Sequence, residues 1–168
     1  MGINDGSRAS CSGYCVFRVS DISMTCVIGS PTFICGDRKI MSDGGDKCPS
    51  RRKVFRNDYM AVGVAGWSKA ITDIESLVRT GSSDPRIFLS SLGDHSSALC
   101  LIQGELWLAE EGEVSKCKYP WYCIGSGADL ATGFLGARNA MPSRDRCRAA
   151  LKFVASRRDD CGARGDFV

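Results

Sequence analysis

The chain has 168 residues, 43% hydrophobic and 24% charged, enough for one domain with a real core. Its net charge of +3 is too small to argue for a nucleic-acid partner. No apolar run approaches a membrane span, and residues 1–23 lack the continuous apolar stretch of a secretory signal.

Residues 1–24 are polar and Gly/Ser-rich around one apolar patch, Tyr14–Val19, and read as an extension or propeptide-like arm ahead of a domain at 25–168. From Thr25 the texture changes. Short β-branched or apolar runs bounded by turn residues predict strands at 25–29, 33–41, 53–55 and 59–65. Thr25 and Asp37 lie equally far from Pro31, so they are expected to face each other across the first hairpin. Trp67, Ala70, Ile71, Ile74, Leu77 and Val78 recur at helical spacing and predict a helix over 68–79, ended by "TGSSDP". Residues 86–92 are a short apolar piece of undecided type. A second hairpin follows, "SSALCLIQ" and "ELWLAE" around Gln103-Gly104. After "EGEVSKCKYP" comes a strand, "WYCIG", then "GSGAD" opening a helix near 128–141 that Pro142 breaks. Ser143 can cap the next helix, whose stripe is Cys147, Ala150, Leu151, Val154 and Ala155. "GARGDFV" closes the chain as a short strand. Strands, a helix, strands, two helices and a strand suit antiparallel sheets with segregated helices, an α+β domain.

Ten cysteines suggest a disulfide scaffold, but Cys26 and Cys35 sit in apolar strand runs and Cys147 on a helix stripe. There a free thiol behaves as a small hydrophobe. With Cys100 these are expected to be buried and reduced, in an intracellular-type chain. No CxxC occurs and His95, the single histidine, has no Cys nearby, so no metal and no cofactor is expected. Basic residues gather at 51–56 and 143–158, but acids interrupt the second run, which reads as a solvated face. Asp84 and Asp94 have no evident partners.

The motifs form an ordered series: a Thr-led strand, "CGDRKIMSDGG" (35–45), "RKVF" (52–55), "VGVAGW" (62–67), "CIGSGADLATGFL" (123–135) and "RRDDCGARGDFV" (157–168). In that order, from Thr25 to the C-terminus, they resemble a proteasome β-type subunit, including the bacterial HslV peptidase, of the N-terminal-nucleophile (Ntn) hydrolases. The sixteen-residue separation of Asp37 and Lys53 fits the family's Asp–Lys pair. The resemblance implies a four-layer αββα sandwich with a reduced helical layer, because the long partner of the 68–79 helix has shrunk to 86–92. It also implies a site. Thr25 would be the nucleophile, with its own α-amino group as base. Lys53 would disfavour protonation of that amine and Asp37 would hold the lysine. Gly66 would supply the oxyanion N–H, and Ser126 and Asp159 would complete the polar network.

That chemistry needs a free amine on Thr25, which a peptide bond from residue 24 abolishes. "Met24-Thr25" resembles the start of family members that remove only a methionine. Two readings follow. One is a threonine-type peptidase, latent while residues 1–24 stay attached, cytoplasmic, homo-oligomeric, with a peptide substrate and an unfoldase partner. The other is a catalytically silent assembly subunit of a large complex such as a viral (phage) particle, located in the virion. In either, the arm fills the cleft beside Gly66 or contacts a neighbour, and the apolar patch at 14–19 favours the neighbour.

Overall fold

The computed structural model describes residues 22–23, 25–39, 50–137 and 139–168. In chain order they form β1 (Ile22–Ser23), β2 (Val27–Ser30), β3 (Phe33–Asp37), β4 (Val54–Arg56), β5 (Met60–Trp67) and α1 (Ser68–Arg79). A single 3-10 turn (Pro85–Phe88) precedes β6 (Ser97–Ile102), β7 (Glu105–Glu110), β8 (Glu113–Lys116) and β9 (Tyr122–Ile124). The chain ends with α2 (Ala128–Leu135), α3 (Arg144–Arg157) and β10 (Gly165–Phe167).

All pairings are antiparallel. One sheet runs β1-β5-β6-β7-β8 with β4 also on β5, and the other runs β10-β3-β2-β9. Val27, Ile34, Val54, Ala65, Leu99 and Ile124 fill the space between the sheets. Ile71, Ile74 and Val78 of α1 and Phe88 of the 3-10 turn pack on the outer face of the first sheet, against Val62, Val64 and Cys100. Cys147, Ala150, Leu151 and Val154 of α3 pack on the outer face of the second, against Ile28, Phe33 and Cys35. This is the expected αββα sandwich. The helical layer over the first sheet is thin, since one 3-10 turn stands at 85–88.

Three local differences have physical causes. The first hairpin turns on two residues, Pro31 and Thr32, pairing Ser30 with Phe33 and Val27 with Gly36. Asp37 therefore lies opposite Cys26, whose C=O accepts the Asp37 N–H at 3.1 Å, and not opposite Thr25. α2 stops at Leu135, ahead of Pro142, because Gly136 takes φ +80 and its N–H closes on the Thr132 carbonyl. β8 occupies "EVSK", where only Val114 is apolar, behind a tight turn with Glu111 and Gly112 at positive φ. Two other elements match the sequence: α1 spans 68–79, and the Ser143 Oγ accepts the Arg146 N–H at 3.2 Å. The predicted strand tip at 40–41 and the patch at 14–19 lie outside the described residues.

No disulfide joins the seven described cysteines, and Cys26, Cys35, Cys100 and Cys147 are buried. Burial pushes the Cys100 thiol up to about 12. No helix among the described residues is long and apolar enough to cross a membrane.

Two outcomes are expected. A Cβ at Gly63 would stand 2.5 Å from Val27 Cγ1 and 2.7 Å from Ile34 Cγ2, so Gly63→Ala should push the sheets apart. Chemical denaturation should show a loss of about 1–3 kcal/mol; no loss would mean the sheets do not meet there. Thiol titration of the folded chain at pH 8 should leave the buried cysteines unreacted, while unfolding without reductant should expose nearly all ten. Four or five disulfides in the unfolded chain would contradict the buried-thiol core.

Candidate active site

One edge of β5 carries two separate pieces of chain. β4 covers Ala61 to Gly63, and the Lys53 carbonyl continues the ladder by accepting the Val64 N–H at 2.8 Å. Further along the same edge, Ser23 pairs with Gly66 and Ile22 with Trp67. Val64 and Gly66 are two residues apart, about 7 Å along a strand. A chain running past Ser23 therefore meets Lys53 and must leave the edge. It leaves for the second sheet, where β2 begins at Val27. That brings Thr25 to the seam between the sheets.

Lys53 is fully buried, and its ammonium donates to Asp37 Oδ1 at 2.7 Å and to the Lys39 carbonyl. Asp37 is also fully buried. Its Oδ2 accepts the Gly162 N–H at 2.7 Å. Both groups feel loss of solvent first. Burial pushes the Asp37 carboxyl up against the opposing pull of Lys53 and the Gly162 N–H, and it pushes Lys53 down against the pull of Asp37. Cys26 lies in the same field, its thiol raised by burial and by the nearby Cys123 and Asp37. Retaining an ion pair here costs several kcal/mol per ion in desolvation, and an apolar pair of similar volume is often as stable or more so. Such pairs concentrate at functional sites.

Thr25 is fully buried. Its carbonyl accepts the Gly127 N–H at 3.2 Å, and a Cβ at Gly125 would stand 2.2 Å from that oxygen. Gly125 also has φ +91. A Cβ at Gly127 would stand 2.7 Å from Val154 Cγ1 of α3. The "GSG" sequence thus lets one loop approach Thr25 on one side and α3 on the other. Gly66 takes φ +130 at the end of β5, where a Cβ would stand 2.2 Å from Ser96 Oγ.

Lys53 and Asp37 meet at this seam, Thr25 stands against Gly125 and Gly127, and Gly66 lies two residues beyond Val64 on β5. Ser126 is exposed, with its Oγ 3.9 Å from Cys161 Sγ. Asp159 is exposed too, and the loop that carries it reaches Asp37 through the backbone of Gly162. Its neighbour Asp160 pairs with Arg158 at 2.9 Å. Sequence reasoning did not single out Ser96, Gly125, Gly127, Cys161 or Gly162. The close glycine spacing at 125–127 was the only available signal, and a backbone N–H donor such as Gly162 leaves none. Asp84 caps the 3-10 turn through the Arg86 N–H, and the Asp94 carbonyl accepts the Trp67 indole N–H at 2.8 Å.

Of the expected arm, the described residues Ile22–Ser23 add a strand to β5 at Gly66 and Trp67.

No protein-family model matches the sequence, and no curated protein matches it significantly. Solved structures do. HslV from Trypanosoma brucei superposes with a TM-score of 0.63 at 16% identity, covering 86% of this chain and 97% of that one. BPH from Thiobacillus denitrificans, solved in complex with epoxomicin, gives 0.62 at 16% identity, covering 86% and 96%. Anbu from Hyphomicrobium sp. strain MC1 gives 0.67 at 14% identity, covering 86% and 81%. The chain has the fold of these HslV- and proteasome-like Ntn hydrolases.

Proposed function

We propose that this chain is a threonine-type Ntn peptidase domain, latent while residues 1–24 remain attached. The observation that carries the reading is the buried Lys53–Asp37 pair at the seam where Thr25 enters the second sheet. Once freed, the Thr25 amine is the base that accepts the hydroxyl proton as Oγ attacks a peptide carbonyl. The Lys53 charge lowers the proton affinity of that amine, and Asp37 with the Gly162 N–H keeps the lysine in place. The Gly66 N–H stabilises the oxyanion, worth about 3–4 kcal/mol where such donors have been removed. No metal or cofactor enters this chemistry.

The cleft is the edge of β5, and the extended, antiparallel pairing of β1 at Gly66 and Trp67 supports peptide binding there by strand addition. The chain's own segment lies where substrate would lie. This supports latency by two routes, a blocked amine and an occupied cleft. The silent assembly subunit remains the second reading, favoured by the same occupancy and by the outward position of Asp159. In both readings the domain works as a homo-oligomer; Phe134 and Met141, 40% and 48% exposed, are apolar groups available to such contacts.

The test is hydrolysis of short fluorogenic peptides by the full-length chain, by a chain freed at Thr25, and by the freed Thr25→Ala variant. The full-length chain should be inert and the freed chain active. Thr25→Ala should lose about 10³-fold or more, since the nucleophile is gone. A freed, folded chain of confirmed mass without activity would leave the assembly reading.

A further inference from the structure

Trp67 is anchored at two points by the segment ahead of β6. Its backbone N–H donates to Ser96 Oγ at 3.1 Å, and its indole N–H donates to the Asp94 carbonyl at 2.8 Å. Ser96 is 5% exposed, and its own N–H is held by the Gly93 carbonyl at 3.2 Å. His95, between the two anchor residues, takes φ +66, outside the ordinary range of a side-chain-bearing residue. On the other side of Gly66, Ala65 is fixed by its pairing with Ser97 in the β5–β6 ladder. Gly66 is therefore clamped from both ends by consecutive residues, Ser96 and Ser97.

The clamp matters because of the conformation it holds. With φ +130, Gly66 turns its two flanking peptide planes in a way few other residues sustain. Glycine is also the residue most free to leave such a conformation. The Ser96 side chain fills the space a Cβ would need, with Oγ 2.2 Å and Cβ 2.6 Å from that point. Its hydroxyl also satisfies a backbone donor that would otherwise be stranded where β5 ends and α1 begins. On this side of β5 no described strand does it, since the β6 ladder ends at Ala65; β1 pairs with Gly66 and Trp67 on the opposite edge.

We propose that Ser96 is a positioning residue for the oxyanion donor, its buried hydroxyl fixing the Gly66–Trp67 peptide and thereby the direction of the Gly66 N–H. The proposal rests on the peptidase reading above and deepens it. Ser96 touches neither the nucleophile nor the scissile carbonyl; it acts through Gly66. An oxyanion donor gives its full effect only when its orientation is set before charge develops. Loss of the anchor should therefore weaken the transition state more than the ground state.

The test compares Ser96→Ala with the conservative Ser96→Thr, which keeps the hydroxyl. In the full-length chain, amide hydrogen exchange at Gly66 and Trp67 should accelerate about tenfold or more in Ser96→Ala, with Thr72 and Val62 amides unchanged and Ser96→Thr close to the parent. In the chain freed at Thr25, Ser96→Ala should lower kcat about 10-fold to 100-fold with KM within about threefold, below the 10²–10³ of outright donor loss. Ser96→Thr should recover most of kcat. Unchanged exchange at Trp67 would overturn the proposal, as would a kcat equal to the parent's. So would a fall in kcat that merely tracks the folded fraction. If Ser96→Thr fails to fold, Ser96→Cys, a weaker acceptor at the same position, should give an intermediate kcat. An inactive freed parent would remove the peptidase reading and the oxyanion role with it, whereas an active parent with an unaffected Ser96→Ala would remove the Ser96 role alone.

Discussion

A lysine ammonium and an aspartate carboxylate, both out of water and 2.7 Å apart, set the terms for the rest of this structure. Neither can stay buried alone, because an isolated charge in the interior costs far more than a lost hydrogen bond. Asp37 therefore needs β3 to end where β4 begins, and it needs the loop after α3 to bring Gly162 to its second oxygen. Lys53 needs the Lys39 carbonyl and the start of the β4 ladder on β5. Both sheets and the α3 loop are tied together at this one place. Packing around it is correspondingly tight: Gly63, Gly125 and Gly127 stand where a side chain would collide with a neighbour, and Gly36 where one would be crowded.

The cleft follows from the same arrangement. β4 leaves the β5 edge at Lys53, short of Gly66 and Trp67. An edge left open in this way invites a strand, and the chain supplies one from its own residues 22–23. Recognition by strand addition draws on main-chain hydrogen bonds and so tolerates varied sequence.

Most of the architecture was legible in the sequence because hydrophobic periodicity carries it. α1 shows an unbroken helical stripe, and the β6–β7 hairpin shows apolar runs around Gln103-Gly104. What was hidden depended on a single residue or on the backbone. β8 has one apolar side chain, and α2 ends on the left-handed turn of Gly136, not on the more visible Pro142. The first hairpin slips by one position because its loop has two residues, a distinction that an even count about Pro31 conceals. At the site, Asp37 and Lys53 were named from the resemblance, whose Asp–Lys spacing they match, and they form an ion pair. Gly162 and Ser96 were not, since a backbone N–H and a buried serine leave no mark until the fold brings them near. Asp159, named from the resemblance, is exposed, and its loop reaches Asp37 through the Gly162 main chain.

The central claim is that Lys53 is a solvent-excluded ammonium held by Asp37. An NMR titration of the Lys53 side chain, with selective labelling of the full-length chain, reads this directly. The account predicts a midpoint below the ordinary lysine value of 10.5, because burial outweighs the pull of Asp37, and slow exchange of the ammonium protons with water. A Lys53 that titrates at or above the ordinary lysine value, with rapid proton exchange, would contradict it.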